Sequence, residues 1–137
     1  MTLAYVDTGA WIALMAPRDG QHRRARDFFH RIATSTRLLT SNYVLAETVT
    51  WLAYHGFRHS ALRLKEMIEA AESTRLLEVA WATPRVDAEA WAYFERFDGQ
   101  NLSFCDCASF AICHARKVDF VFGFDRDFQT AGLELRP

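Results

Sequence analysis

Cysteine, lysine and long apolar runs are scarce in this sequence, and each scarcity excludes something. There are three cysteines. An odd number leaves no complete disulfide framework, and Cys105, Cys107 and Cys113, crowded into one stretch, lack the spacing of a zinc site. They are expected to be small buried hydrophobes in a reducing compartment. No apolar run reaches the length of a membrane span. Residues 3–16 are apolar, but they have no basic start and Asp7 interrupts them, so they do not form a secretory signal. The expected location is the cytoplasm, with no membrane partner. Lysine occurs twice, as Lys65 and Lys117. The formal net charge of −1 neither demands nor excludes a nucleic-acid partner. No internal repeat, linker or low-complexity stretch divides the chain, so residues 1–137 are expected to form a single domain.

Half of the residues are hydrophobic and 14% are aromatic, enough for a sizeable core and too many for a disordered chain. Apolar patterning predicts strands at 3–6, 37–41, 76–81 and 120–124. Helices are predicted at 9–15, 21–34, 42–55, 58–73, 84–98 and 104–115, with a short helical turn at 127–131 and a brief apolar end at 133–135. Pro17 stops the first helix, Gly56 closes the third, and Pro84 opens the fifth. Strands alternating with helices imply an α/β three-layer sandwich around a mostly parallel sheet. The helix at 21–34 carries Ala25, Phe28, Phe29 and Ile32 on one face. His22, Arg23, Arg24, Arg26, His30 and Arg31 lie on the other, with Arg18 just before them. That basic face has two readings, a solvated surface or a contact for a phosphate backbone.

Residues 101–128 organise the rest. Ser103 followed three residues later by Asp106 is a capping-box pattern. From Phe104 to Ala115 nearly every residue is apolar or small, so the helix is buried and Asp106 is its one carboxylate. A continuous apolar strand follows and leads into Asp125-Arg126-Asp127. Strands covered on both faces belong to parallel sheets, which bind ligands at their carboxyl edge. Asp7 follows the first strand, Glu47 sits in the helix after the second, Asp106 opens the buried helix and Asp125 follows the fourth strand, so all four fall on that edge. Crowded carboxylates drive one another toward protonation, and a divalent cation removes the conflict. Hard oxygen ligands with little His or Cys nearby point to Mg²⁺ or Mn²⁺, and so to metal-assisted phosphodiester hydrolysis. Each acid alone has an innocent explanation. Asp7 is placed to cap a helix, Glu47 lies on a solvated flank, Asp106 completes the capping box, and Asp125 or Asp127 is a turn residue.

An N-terminal strand ending in Asp-Thr, a helical Glu about forty residues on, Leu-Ser-Phe-x-Asp opening an apolar helix and Phe-Asp-Arg-Asp-Phe after a strand together resemble the PIN domain. More closely, the chain is similar to VapC-type toxins of bacterial toxin–antitoxin pairs. The resemblance covers essentially the whole chain. It implies a Mg²⁺- or Mn²⁺-dependent endoribonuclease with Asp7, Glu47, Asp106 and Asp125 as its acidic, metal-holding quartet. It also implies a small antitoxin protein whose C-terminal segment occupies the acidic groove, and a homodimer. Thr8 and Ser103 match polar positions that flank the family's acids, where hydrogen bonds to the ligands are expected. Asp125 and Asp127 both compete for the fourth place. Strand-end position favours Asp125, leaving Asp127 to cap the short helix while Phe128 packs inward.

Two other classes stand beside this one. A phosphotransfer domain needs a lysine on the same edge as its acceptor aspartate, but Lys65 falls mid-helix and Lys117 before the fourth strand. A non-catalytic PIN-like module binding RNA or protein has no need of all four acids.

Overall fold

The computed structural model describes residues 1–137. The elements run β1 (Thr2–Val6), α1 (Thr8–Met15), α2 (His22–Ile32), β2 (Thr36–Ser41), α3 (Asn42–Tyr54), α4 (Arg58–Ser73), β3 (Leu77–Ala80), α5 (Pro84–Arg96), α6 (Phe104–Arg116), β4 (Phe120–Phe122), α7 (Asp127–Thr130) and β5 (Leu135–Arg136). The sheet order is β3-β2-β1-β4-β5 and every pairing is parallel. The expected α/β sandwich is therefore present, with five strands where four were expected. The segment expected as a brief apolar end supplies the fifth: Leu135 pairs with Val121 and Arg136 with Phe122. β4 is shorter than expected because the chain turns at Gly123-Phe124.

β1 lies between β2 and β4, and Ala4, Tyr5 and Val6 have almost no exposed surface. On one face Phe28 of α2 meets the Phe120 and Phe122 rings edge-on, and Trp11 of α1 donates from Nε1 to Thr40 Oγ1 at 3.1 Å. α4 packs on this side, against α1 and β3. On the opposite face α6 lies over β1, and α5 lies along α6. There the Tyr5 hydroxyl bonds Ser109 Oγ of α6 at 2.8 Å and Ser41 Oγ at 3.0 Å. Seven residues of α6, Cys107 to Cys113, are buried, which matches its apolar sequence.

The topology sets where a ligand belongs. From β1 the chain crosses to β2 on one side, and β4 is inserted on the other. Strand order thus reverses at β1, opening a crevice at the carboxyl ends of β1 and β4. The Asp7 amide closes its floor by donating to the Phe122 carbonyl at 3.0 Å.

Candidate active site

Asp7 is the N-cap residue of α1, yet its side chain makes no capping bond. Its backbone carbonyl accepts from the Ala10 and Trp11 amides instead, so the carboxylate is spared for other work. It is also buried, at 5% exposure. Burial pushes its pKa up from 3.8 to about 7, eased by the Thr8 amide and reinforced by Asp106, Asp125 and Glu47. A carboxylate with no cation beside it and three like charges in range is under strong pressure to stay protonated.

The capping box at the start of α6 is complete. Ser103 Oγ accepts from the Asp106 amide and Asp106 Oδ2 accepts from the Ser103 amide, both at 3.0 Å. That exchange fixes the Asp106 carboxylate toward the crevice. Burial raises its pKa, the Ser103 bonds oppose this, and Asp125 and Glu47 add to it.

Asp106, Asp125 and Asp127 each bring a carboxylate oxygen within 4.8 Å of the other two. Asp125 and Asp127 therefore both reach the cluster. The capping duty expected of Asp127 falls elsewhere: Arg126 is the N-cap of α7, and the Asp127 amide donates to Asp125 Oδ1 at 2.9 Å. Asp127 stands in the first turn of α7, where its side chain is free to face Asp106, and burial followed by Asp125 raises its pKa. Phe128 is buried against Phe110 as expected.

Glu47 is exposed on α3, but its charge acts on both Asp7 and Asp106. It also lies beside Cys105. Burial first, and then Glu47, push that thiol well above its ordinary range, so Cys105 is a poor nucleophile. The structure thus brings Asp106, Asp125 and Asp127 into one close cluster, while Asp7 and Glu47 of the expected quartet lie outside that cluster and act on Asp106 or on one another only through their charge.

Two supports escaped sequence reasoning. Gly123 admits the Asp7 side chain, since a Cβ there would stand 3.2 Å from Asp7 Cβ. An isolated glycine just after a strand was the available signal. The Tyr5–Ser41–Ser109 bonds tie β1 to the caps and helices that carry the acids, and Ser41 also accepts from the Val44 amide to cap α3. Nothing in an aromatic strand residue announces such a bond. Thr8, expected to hydrogen-bond near the acids, has a buried Oγ1 with no partner in the chain.

These residues suit a divalent cation. The donors are carboxylate oxygens, none is ion-paired, their mutual repulsion calls for positive charge, and a buried hydroxyl lies alongside without a partner. A lysine is missing from the edge. Lys65 pairs with Glu69 at 2.7 Å on α4, and Lys117 closes the far end of α6, roughly 15 Å along the helix from Asp106.

Comparison with known proteins decides the family. The PIN domain matches residues 4–133. The chain belongs to the PIN domain family. It is 31% identical over 136 residues to the 23S rRNA-specific endonuclease VapC20 of Mycobacterium tuberculosis, covering 98% of this chain and 99% of that protein. The crystal structure of VapC20, described as a sarcin–ricin-loop-cleaving toxin, superposes with a TM-score of 0.79 over 99% of this chain and all of that one. VapBC2 from Rickettsia felis, solved bound to a promoter DNA fragment, shares the fold at 14% identity, with a TM-score of 0.71 over 98% of both chains. These likenesses agree with the resemblance to VapC-type toxins and with the PIN-like sandwich. No helix of this PIN domain is long and apolar enough to cross a membrane.

Proposed function

We propose that the chain is a Mg²⁺- or Mn²⁺-dependent endoribonuclease that hydrolyses RNA phosphodiester bonds as the toxin of a toxin–antitoxin pair. The observation that carries this reading is the convergence of unpaired carboxylates at the β1/β4 crevice, in a chain similar over its whole length to a ribosomal-RNA endonuclease.

In this reading Asp7 and Asp106 are the principal metal ligands, and Glu47 orients a water molecule. Asp125 is the fourth acid, with Asp127 its neighbour in the same cluster. Held by these residues, the ion would supply a nucleophilic water at neutral pH and offset the charge on the scissile phosphate. The protein's own groups do the rest. Ser103 holds Asp106 through its amide. Gly123 leaves room for Asp7. Asp125 is held by the Asp127 amide. With a pKa about 7, Asp7 would hold the ion in its ionised form, its proton passing to solvent. Water adds to phosphorus as a crevice carboxylate takes its proton, the phosphorus–oxygen bond to the leaving nucleotide breaks, and that oxygen leaves with a proton from a crevice acid or from solvent.

A ribosomal stem–loop of the sarcin–ricin type is the substrate class we test first, because VapC20 is described as cleaving it. The partners in this reading are a small antitoxin and a second copy of the chain. Trp81, Trp91 and Phe94 are exposed apolar side chains, and Trp91 packs at a tilt against Phe104 at the start of α6, with ring centroids 4.7 Å apart. A protein partner would cover them.

The test is cleavage of a synthetic sarcin–ricin-loop RNA by wild type and Asp106→Asn, with Mg²⁺, Mn²⁺ or chelator. Wild type cleaves with metal and stops with chelator. Asp106→Asn loses about a thousandfold or more in rate while keeping its circular dichroism spectrum. Full activity in the variant overturns the site assignment, and full activity in chelator overturns the metal.

A further inference from the structure

The α2 face opposite the core carries a run of positive charge with no ion-pair partner. Arg23, Arg24, Arg26 and Arg31 are exposed, and none is ion-paired. Asp27 is the single acid on this helix. Within this face, Arg24 and Arg31 are seven residues apart, so they lie on one flank about 10 Å from each other.

That flank faces the β4 side and is held there. The Arg24 guanidinium lies 5.7 Å from the centroid of Phe124, and one of its nitrogens donates to the Pro137 carbonyl at 3.0 Å. The Arg31 guanidinium lies 5.5 Å from the centroid of Phe28. Both cations are thus ordered against rings while most of their donors stay free, since a guanidinium carries five. Phe124 is the residue before Asp125, so the row begins where the acidic crevice ends.

A polyanion approaching four or five carboxylates is repelled unless positive charge lies close by. At physiological salt that charge must fall within roughly 8 Å of the phosphates it serves. The net charge of −1 provides no long-range attraction. Arg24, held against Phe124, provides it locally, and Arg31 continues it about 10 Å along α2 toward the amino edge of the sheet.

We infer that Arg24 and Arg31 form a backbone-binding row for RNA, gripping phosphates outside the scissile one and leading the strand across Phe124 into the crevice. The inference rests on the ribonuclease reading above. The contact is to phosphate, so the row sets affinity and register and leaves base choice to other surfaces. It resolves the two readings of the basic helix in favour of nucleic acid.

The experiment uses the full chain carrying Asp106→Asn and a fluorescein-labelled sarcin–ricin-loop RNA, with anisotropy measured across a salt series. Arg24→Gln and Arg31→Gln each weaken binding about three- to tenfold and lower the slope of log affinity against log salt by about one. Arg85→Gln, which removes an exposed charge on α5, leaves both unchanged. In the cleavage-competent chain the row variants raise KM and leave kcat within about twofold. Unaltered affinity and slope in both row variants overturn the proposal and make the face a solvated surface. Unaltered RNA affinity with lost binding to poly-glutamate also overturns it, assigning the row to an acidic protein. If wild type cleaves while the row variants behave as wild type, only the row fails. If wild type neither binds nor cleaves the RNA, the ribonuclease reading falls and takes the row with it.

Discussion

Asp7 shows how one side chain is made available for chemistry. Its backbone does the capping, its amide is used in the sheet, and its carboxylate is left buried beside other acids. Gly123 makes that placement possible, and a methyl group there would meet Asp7 Cβ at 3.2 Å. Neither atom has a flexible stem, so Gly123→Ala displaces the carboxylate by a few tenths of an ångström. The expected outcome is an RNA cleavage rate lower by about tenfold with Tm within about 3 °C of wild type. An unchanged rate in a kinetic comparison would remove the glycine from the site. Asp106 stood out in the sequence because it completes a capping box, and Asp7 because it follows a strand end, a signal that is weak alone. Asp125 and Asp127 were not separable, because two acids two residues apart in a turn differ only in side-chain direction. In the structure one accepts an amide bond, and both reach Asp106.

Among the elements, α6 does the most to define the crevice. Its first turn aims Asp106 through reciprocal bonds with Ser103, and its buried middle anchors that turn against β1 through Ser109 and Tyr5. Ser103→Ala removes the Oγ that accepts from the Asp106 amide, so the first turn of α6 that carries Asp106 loosens, although the backbone amide of residue 103 still bonds Asp106 Oδ2. It should cost about 1 kcal/mol, read as a Tm fall of roughly 3–5 °C, and weaken Mn²⁺ binding about tenfold in calorimetry. A Tm loss without a change in Mn²⁺ affinity would reduce Ser103 to a cap alone. Helix patterning predicted this element well, because apolar residues all round a segment leave it nowhere to go but the interior. The same logic was blind to β5, whose two residues are too few to show a period. It was also blind to Glu47, where an exposed flank position says nothing about which neighbours share the flank.

For the molecule as a whole, the acidic crevice couples folding to pH and to metal. The Asp7 pKa is raised from 3.8 to about 7 by folding. Between those values the folded chain holds a proton that the unfolded chain has lost, so stability falls as pH rises and levels off above about 7. In chelator, Tm is expected to be higher near about pH 5 than about pH 8, and Asp7→Asn should narrow that gap by about 5 °C. Saturating Mn²⁺ should reverse the trend at the higher pH, because the cation binds the ionised form. A scanning calorimetry series at several pH values checks both statements, and a gap equally wide in Asp7→Asn would assign the dependence to other groups. The central position of β1 has a further consequence, for the chain as it is made. β1 leaves the ribosome before the other four strands, but its second edge stays open until residues 120–122 emerge to pair with it, and Asp125 and Asp127 follow later still. A nascent chain can therefore collapse around its first three strands while its acidic set is incomplete. On the proposed reading, an antitoxin present during that interval would meet a protein that is partly folded and without its full acidic set.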